Sequence, residues 1–297
     1  MTLNQIQSHI SEDMQAVDTV IRDSLRSEVS LINTIGDHIT SSAGKRLRPA
    51  LVLFSSGLFG PIGEQQHQLA AIIEFIHTAT LLHDDVVDES QLRRGKSTAN
   101  HVFGNAASVL VGDFLYSRAF QMMVSLQNMR VMEITSEATN TIAEGEVLQL
   151  MNLHNANITE DEYLKVIHFK TAKLFEAAAR LGAVINKDAS IEDEKALALY
   201  GKHLGTAFQL VDDVLDLNGD AEKIGKNLGD DLSEGKPTLP LLYAIQQGSD
   251  VQATVIREAI EHGGLEDMSA VLAAVSATNA SEYVLNLARQ ESKYACS

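Results

Sequence analysis

The chain has 297 residues, of which 45% are hydrophobic and 21% charged, so it can bury a large core. Its net charge of -17 argues against nucleic-acid binding, which needs basic patches. No apolar run reaches the ~18 residues of a membrane span, and the polar N-terminus does not resemble a signal peptide. A single cysteine, Cys296, fits a reducing compartment. These features predict a soluble, cytoplasmic globular protein with no nucleic-acid partner and no transmembrane segment.

Helical periodicity recurs along the whole chain, whereas strand-like alternation with hairpin turns is absent from the sequence. No proline occurs between Pro61 and Pro237, and this gap permits many consecutive helices because an interior proline costs ~3 kcal/mol. We therefore predict an all-α fold with one domain over residues 1–297 and no internal linker. The predicted helices span residues 5–40, 47–58, 64–89, 105–127, 130–153, 160–185, 191–217, 238–247, 251–262 and 268–294.

Two of these helix starts carry capping signals. Thr159 followed by Glu162 matches a capping box that opens the helix at residue 160. Ser190 followed by Asp193 is a weaker start signal for the next helix.

The basic residues of this acidic chain are concentrated in a few loops. In chain order, the first such loop, residues 44–49, places Lys45, Arg46 and Arg48 just before a predicted helix, where unpaired N–H groups also favour anions. Arg93-Arg94-Gly95-Lys96 forms the second, and Lys223, Lys226 and Lys236 lie near the glycines of the third. Arginine binds phosphate through two parallel hydrogen bonds, and lysine acts as a point charge.

Two copies of Asp-Asp-x-x-Asp lie 128 residues apart and each follows an apolar helical stretch. The first Asp motif comprises residues 84–88 and the second comprises residues 212–216. On a helix, the outer aspartates of each motif share one face, one turn apart. Crowded carboxylates repel each other unless cations neutralise them, and oxygen ligands suit Mg²⁺. Two such acidic faces opposite each other would clamp a diphosphate; the alternative is two solvated acidic helix ends.

Together, the acidic motifs and the basic loops predict two anion sites, one bridged by metal and one built from Arg, Lys and His. His77 lies two helical turns before Asp84 on nearly the same face, which favours a role in ligand binding. The alternative for His77 is a histidine whose hydrogen bonds are satisfied within the core.

These motifs resemble the trans-type polyprenyl diphosphate synthases, and the resemblance extends in order over about residues 40 to 245. The stretches that carry it, besides the two Asp motifs, are residues 44–49, 75–83, 92–96, 111–113, 144–149, 170–172, 208–209, 225–232 and 235–240. The resemblance implies a helical isoprenoid-synthase bundle around a central cavity and a homodimer. It implies a transferase that condenses isopentenyl diphosphate with an allylic diphosphate such as farnesyl diphosphate. The expected product is an all-trans octaprenyl chain for a quinone side chain, made with two or three Mg²⁺ ions per active site.

The resemblance also assigns roles to individual residues. It implies that Asp84, Asp88 and Asp212 bind the metal directly. Asp216 belongs to the same metal set but acts through water, as do Asp85 and Asp213. The isopentenyl diphosphate cradle is Lys45, Arg48, His77 and Arg94. The contacts to the allylic diphosphate are Arg93, Lys170, Lys226 and Lys236. Beside the reacting carbons lie Thr171 and Gln209.

The length of the product depends on the small residues before the first Asp motif. Ala79 and Thr80 lie about one helical turn below the metal face, where the growing chain must pass, and Phe120 and Met123 are candidates for the tunnel floor. The alternative for Phe120 and Met123 is ordinary core packing. Relatives usually continue beyond the helix predicted at 268–294, so we expect a short or truncated C-terminal helix.

Other functions remain open at this point. A synthase of shorter chains, such as farnesyl or geranylgeranyl diphosphate, shares all of these motifs. A class I terpene cyclase shares the first motif but normally has an Asn/Ser/Glu-rich second metal site. A non-catalytic subunit of a heteromeric synthase or a helical acidic interaction protein would not need both motifs intact.

Overall fold

The computed structural model groups most of the chain into two compact units. The described residues are 2–41, 44–218, 229–263 and 268–297. Unit 1 comprises Met1–Thr139 and Leu174–Gly201, and unit 2 comprises Asn140–Lys173 and Lys202–Ser297. Among the residues with predicted roles, Lys226 lies outside the described residues, as does Lys223. The prediction of a single domain over residues 1–297 stays a prediction.

The predicted all-α class is confirmed, because helices account for nearly all of the regular structure in the described part of the chain. The helices are α1 (Leu3–Gln7), α2 (Ser11–Leu25), α3 (Ser30–Ser41), α4 (Leu47–Gly57), α5 (Glu64–Val87), α6 (Ala99–Phe103), α7 (Asn105–Ser125), α8 (Met129–Asn152), α9 (Glu160–Ile167), α10 (Lys173–Val184), α11 (Ile191–Asn218), α12 (Asp230–Ser233), α13 (Leu239–Gln247), α14 (Asp250–His262), α15 (Met268–Ala277) and α16 (Ala280–Ala295). Within the described ranges, no helix combines the length and apolarity needed to cross a membrane.

In unit 1, α5 lies at the centre and packs against α2, α4 and α7. Its middle turns are largely apolar, and the side chains of Ile72, Ile73, Phe75 and Ile76 are fully buried. Burying each such side chain contributes about 1.5–3 kcal/mol, so α5 is held firmly in place. The C-terminal end of this helix carries the first Asp motif.

In unit 2, one apolar cluster joins α9, α11, α13 and α16. Leu210 and Val214 of α11 contribute to this cluster, and Leu217 contributes to a second cluster with α13, α14 and α15. Because these positions follow the helical period, the same turns of α11 present Asp212 and Asp216 on a less buried face. The core of unit 2 therefore sets the orientation of the second Asp motif.

Two of the long helices predicted from periodicity are divided in the structure. The predicted helix 5–40 is interrupted after Leu25, where Arg26 has an extended backbone with φ -61° and ψ 131°. A short 3₁₀ turn at Ser8–Ile10 separates α1 from α2. The predicted helix 268–294 is divided at Asn279, which has φ 54°. Asparagine tolerates this left-handed conformation better than most residues, so the break has a local cause.

A small hairpin follows the first Asp motif, although the sequence shows no strand-like alternation there. Strand β1 (Leu92–Arg93) pairs antiparallel with β2 (Lys96–Ser97). The two-residue connection has positive φ at both Arg94 (54°) and Gly95 (74°), as a tight hairpin turn requires. Strands of two residues are too short to produce an alternating pattern in the sequence.

The predicted helix 160–185 begins as expected but contains a π-helical segment. Thr159 and Glu162 form the predicted capping box, with hydrogen bonds in both directions. A π-helical turn at His168–Ala172 then separates α9 from α10. π-turns within helices are frequent at functional sites, and this one contains Lys170 and Thr171.

Candidate active site

The first Asp motif has one buried carboxylate flanked by two at the helix surface. Asp84 and Asp88 are half-buried, whereas Asp85 is only 3% exposed. From β1, the Arg93 Nε and Nη2 atoms lie 2.7 and 2.6 Å from Oδ1 of Asp85. The Asn100 side chain of α6 donates to the backbone carbonyl of Asp85 at 2.9 Å. These contacts hold the end of α5 in place and leave Asp84 and Asp88 at the surface of unit 1.

The electrostatics of this pair follow from burial and proximity. Burial raises the pKa of Asp85, and the Arg93 guanidinium opposes this rise only in part. Burial disfavours the charged form of Arg93, but Asp85, Asp84 and Asp88 outweigh it and raise the pKa of Arg93. Arg93 therefore stays charged and partly neutralises the crowded carboxylates of the first motif.

The second Asp motif has the same arrangement with different partners. Asp212 and Asp216 are half-buried near the end of α11, and Asp213 is 3% exposed. Tyr163 of α9 donates its hydroxyl hydrogen to Oδ2 of Asp213, and Gln209 Nε2 donates to Oδ1 at 2.8 Å. Burial, together with the nearby charge of Asp231, raises the pKa of Asp213 to about 8. Here the middle carboxyl is held by neutral donors.

Sequence reasoning missed two of the residues that hold the middle aspartates, Tyr163 and Asn100. Tyr163 precedes Asp213 by 50 residues, and Asn100 follows Asp85 by 15. Neither belongs to a recognisable motif, so only the packing of α9 and α6 brings them to the site. Arg93 was predicted as a contact for substrate, and in the structure it also holds the Asp85 carboxylate.

The four predicted site residues of the basic cluster all lie in unit 1, on or near the basic loop. Arg48, in the first turn of α4, has its Nη1 atom 3.1 Å from Nε2 of His77 on α5. The Arg94 guanidinium lies over Gly44, where a Cβ atom would be only 2.3 Å from its Cζ atom. Lys45 is exposed beside them. Gly44 is therefore required for the close approach of Arg94 to the loop.

The protonation states in this cluster can be derived from the contacts. An arginine can only donate, so Nε2 of His77 accepts from Arg48 and the imidazole proton lies on Nδ1. Burial and the nearby arginines hold the pKa of His77 well below 6.5. Burial also lowers the pKa of Arg48 to about 10, which leaves it charged at neutral pH. Among the described residues, the buried Nε atom of Arg48 has no hydrogen-bond acceptor, as expected if an anion supplies one.

Arg46, which the sequence grouped with Lys45 and Arg48, has a structural role. Its Nη1 atom lies 3.0 Å from Glu74 on α5, and its Nη2 atom lies 3.5 Å from Asp18 on α2. Glu74 is buried, and burial raises its pKa. A buried carboxylate needs such a partner, so this ion pair connects the loop to α5 and α2.

Lys170 and Thr171 are placed by the π-turn between α9 and α10. The Lys170 Nζ atom lies 2.5 Å from Glu146 and 2.7 Å from Gln149, both on α8. Thr171 donates its hydroxyl hydrogen to Oε1 of Gln209 at 3.0 Å, which links the π-turn to Asp213. Within unit 2, the π-turn therefore places Lys170 against α8 and Thr171 against Gln209.

Lys236 follows a tight turn after α12. Gly235 has φ 73°, and the Lys236 side chain lies beside Glu234 and 3.9 Å from Asp231. The backbone N–H of Gly229 donates to the carbonyl of Asp216 at 2.9 Å, which places the start of α12 next to the second motif. Lys236 is thus on the same side of unit 2 as the second Asp motif.

The predicted chain-length residues divide into two groups. Ala79 and Met123 are fully buried within unit 1, and the Thr80 hydroxyl donates to the carbonyl of His77 at 2.7 Å. Phe120 is 37% exposed on α7, whereas Ala119 beside it is fully buried. Of the two proposed floor residues, only Met123 lies in the core.

The donor set fits a divalent ion that is shared with a substrate. In the described part of the chain, no three His, Cys, Asp or Glu side chains are grouped to hold an ion by themselves. Each motif instead offers two outer carboxylates on one helix face. Mg²⁺ is commonly bound by one or two carboxylates, with waters and substrate phosphates completing its six ligands.

A helical fold with an aspartate motif near the end of each of two helices, and basic side chains beside them, is that of the all-α isoprenoid synthases. The chain belongs to the polyprenyl synthetase family, whose pattern matches residues 29–278, and it is a prenyltransferase.

Individual relatives agree with this assignment over almost the full chain. The octaprenyl diphosphate synthase of Escherichia coli (strain K12) is 54% identical over 98% of this chain and 90% of that protein. The all-trans-nonaprenyl-diphosphate synthase (geranyl-diphosphate specific) of Rhodobacter capsulatus is 44% identical over 96% of this chain and 88% of that protein. The crystal structure of polyprenyl synthase from Caulobacter crescentus CB15, complexed with calcium and isoprenyl diphosphate, matches with a TM-score of 0.95 and 44% identity, over 99% of this chain and 90% of that one.

Proposed function

We propose that the chain is an Mg²⁺-dependent synthase that condenses isopentenyl diphosphate with an allylic diphosphate, farnesyl diphosphate in the first instance, to a long all-trans polyprenyl diphosphate. The observation that carries this proposal is the shared construction of the two Asp motifs. In each, the middle carboxyl is buried and hydrogen-bonded, and the outer two remain at the helix surface. That construction serves metal-bridged diphosphate binding better than it serves stability, because crowded surface carboxylates repel each other.

The proposed metal-binding residues are Asp84, Asp88 and Asp212 directly and Asp216 through water, with two or three Mg²⁺ ions in each active site. Bound Mg²⁺ would supply Lewis-acid stabilisation of the diphosphate leaving group. Asp85 and Asp213 orient the outer carboxylates through their own buried contacts.

Two groups of cations bind the two diphosphates in this proposal. Lys45, Arg48, His77 and Arg94 hold isopentenyl diphosphate, supported by the open Nε donor of Arg48 and the N-terminus of α4. Arg93, Lys170, Lys226 and Lys236 contact the allylic diphosphate.

The reaction follows from these placements. The C1–O bond of the allylic diphosphate breaks, and its electron pair leaves with the diphosphate. The double bond of isopentenyl diphosphate then attacks the allylic cation, and the released diphosphate removes a proton to form the new double bond. Thr171 and Gln209 present uncharged oxygens beside the reacting carbons, which stabilises positive charge without trapping it. Apolar helix faces around the chain exclude water.

The proposed product has about eight isoprene units and supplies a quinone side chain. Support comes from the small residues Ala79 and Thr80 on α5, and from the octaprenyl product in the name of a relative that is 54% identical. A relative at 44% identity is named for a nonaprenyl product, so the length itself must be measured.

The proposed assembly is a homodimer in the cytoplasm. Leu110 and Val124 on the outer face of α7 are 66% and 64% exposed, and Val109 and Phe120 add apolar area there. Several large exposed apolar side chains along one helix support an interaction surface there. The single cysteine, Cys296, is exposed and free, which suits a reducing compartment. Sedimentation velocity of wild type and Leu110→Asp tests the dimer, which the charged variant should weaken.

A product assay tests the reaction. The purified chain is incubated with Mg²⁺, farnesyl diphosphate and labelled isopentenyl diphosphate, and the dephosphorylated alcohols are analysed by mass. We expect chains of about eight units, whereas cyclic hydrocarbons or an absence of labelled product would refute the proposal.

Asp84→Ala and Asp212→Ala should each lower turnover by about a thousandfold or more with unchanged helix content. Asp188→Ala, at an exposed loop position, is the matched control.

A further inference from the structure

Three residues with left-handed backbones meet at one place in unit 2. His154, just after α8, has φ 60°, Gly235 before Lys236 has φ 73°, and Gly263 after α14 has φ 62°. The glycines adopt this conformation freely, whereas histidine does so only at a cost. A costly backbone that is nevertheless kept points to a role for the side chain it presents.

The His154 ring fills the space between the two glycines. A Cβ atom at Gly235 would lie 2.3 Å from Nδ1 of His154, and a Cβ atom at Gly263 would lie 3.4 Å from its Cε1. Nδ1 is 3.1 Å from the carbonyl oxygen of Ile260 on α14. Because a carbonyl only accepts, Nδ1 carries the proton of this contact. The ring therefore connects the end of α8, the turn at Gly235 and the end of α14.

The backbone of His154 acts on the same turn. Its N–H donates to the carbonyl of Gly235 at 2.8 Å, and that carbonyl belongs to the peptide group that continues into Lys236. The N–H of the same peptide group donates to the carbonyl of Asp231 at 2.8 Å. Both polar atoms of the Gly235–Lys236 peptide are thus hydrogen-bonded, one to the backbone of His154 just after α8 and one to Asp231 of α12. This fixes the direction in which the Lys236 side chain leaves the backbone.

We propose that His154 is a positioning residue, which aims Lys236 at the allylic diphosphate by packing against Gly235 and bonding to Ile260. The proposal rests on the role of Lys236 given above. The same part of the chain also contacts Lys170, because Glu146 and Gln149 of α8 lie beside its Nζ atom. The segment from Glu146 to His154 would then orient both lysines of the allylic site.

The left-handed backbone of His154 allows stability and positioning to be separated. His154→Gly removes the ring and at the same time suits the φ of 60°. We expect a melting temperature close to that of wild type, an unchanged KM for isopentenyl diphosphate, and a KM for farnesyl diphosphate raised by about tenfold, as for a weakened charge-assisted contact. His154→Asn should recover part of this loss, because asparagine tolerates the conformation and its amide can donate to Ile260. His262→Ala, at an exposed histidine in the last turn of α14, is the control.

A double-mutant cycle decides whether His154 acts through Lys236. If it does, His154→Gly should have little further effect on the KM for farnesyl diphosphate in a Lys236→Ala background. An equal effect in both backgrounds, or a wild-type KM in His154→Gly, would overturn the positioning role alone. If Lys236→Ala itself leaves this KM unchanged, the role of Lys236 fails as well, and the two failures are thereby distinguished.

Discussion

Gly145 on α8 lies against the backbone of the π-turn that carries Lys170 and Thr171. A Cβ atom at this position would lie 2.6 Å from the backbone N of Lys170 and 2.9 Å from both the carbonyl carbon and the Cβ of Phe169. Ordinary contacts of a Cβ atom begin at 3.4 Å. Gly145→Ala therefore requires α8 and the π-turn to separate by about 0.8 Å, because backbone atoms cannot rotate out of the way.

The expected cost can be divided between stability and activity. Overpacking costs about 1–3 kcal/mol, and the better helix propensity of alanine offsets up to about 1 kcal/mol of it. The fold should therefore survive. The shift falls on Lys170 and on the hydroxyl of Thr171, which is bonded to Gln209. These groups are proposed to lie beside the reacting carbons, where a displacement of about 1 Å can lower kcat by about a hundredfold, and we expect a loss of that order.

The assay is steady-state turnover with farnesyl and isopentenyl diphosphates, together with thermal unfolding of the same samples. Gly36→Ala in α3 is the matched control, because a Cβ there would meet the Leu25 side chain at an ordinary 3.6 Å. The control should keep wild-type turnover. Wild-type kcat in Gly145→Ala would refute the argument that α8 sets the position of the π-turn, and so would equal losses in both variants.

Three further outcomes are expected. Ala79→Tyr, at a fully buried position of α5, should shorten the product from about eight isoprene units to about three or four, seen in the masses of the extracted alcohols, because the ring fills about one helical turn of tunnel. Arg48→Ala should raise the KM for isopentenyl diphosphate by about tenfold or more and leave that for farnesyl diphosphate nearly unchanged in separate titrations. The pKa of His77 is depressed in the folded state, so the unfolded state binds more protons below pH 6.5. Stability should therefore fall with decreasing pH there, by up to about 1.4 kcal/mol per unit, and less steeply in His77→Gln, as denaturant titrations at each pH would show.

Features that depend on local chemistry were predictable from the sequence. The capping box of Thr159 and Glu162 forms as expected, because its atoms lie within one turn of each other. The helical class follows from apolar periodicity and from the long stretch without proline. Both Asp motifs occur near helix ends, and the family comparison agrees with the resemblance that they carry.

Features that depend on close tertiary approach were not predictable. The π-turn at Lys170 has no propensity signal, and neither does the close approach of α8 to it at Gly145. The break in the first long helix falls at Arg26, where neither proline nor glycine marks it. The break at Asn279 did carry a signal, because asparagine tolerates the left-handed conformation. The prediction was made from periodicity and did not take this signal into account. Arg46 was grouped with the substrate cations because its buried partner, Glu74, is 28 residues away.

The buried middle aspartate of each motif has a consequence for protein design. Copying Asp-Asp-x-x-Asp onto a helix of another scaffold would transfer the outer carboxylates but not the supports of the middle one. Asp85 relies on Arg93 from a neighbouring hairpin, and Asp213 relies on Tyr163 from another helix. Without such partners, the middle side chain would turn to solvent and the outer pair would lose its fixed orientation. A transplanted site must therefore include a second element of structure, and the partner on that element can be a cation or a neutral donor.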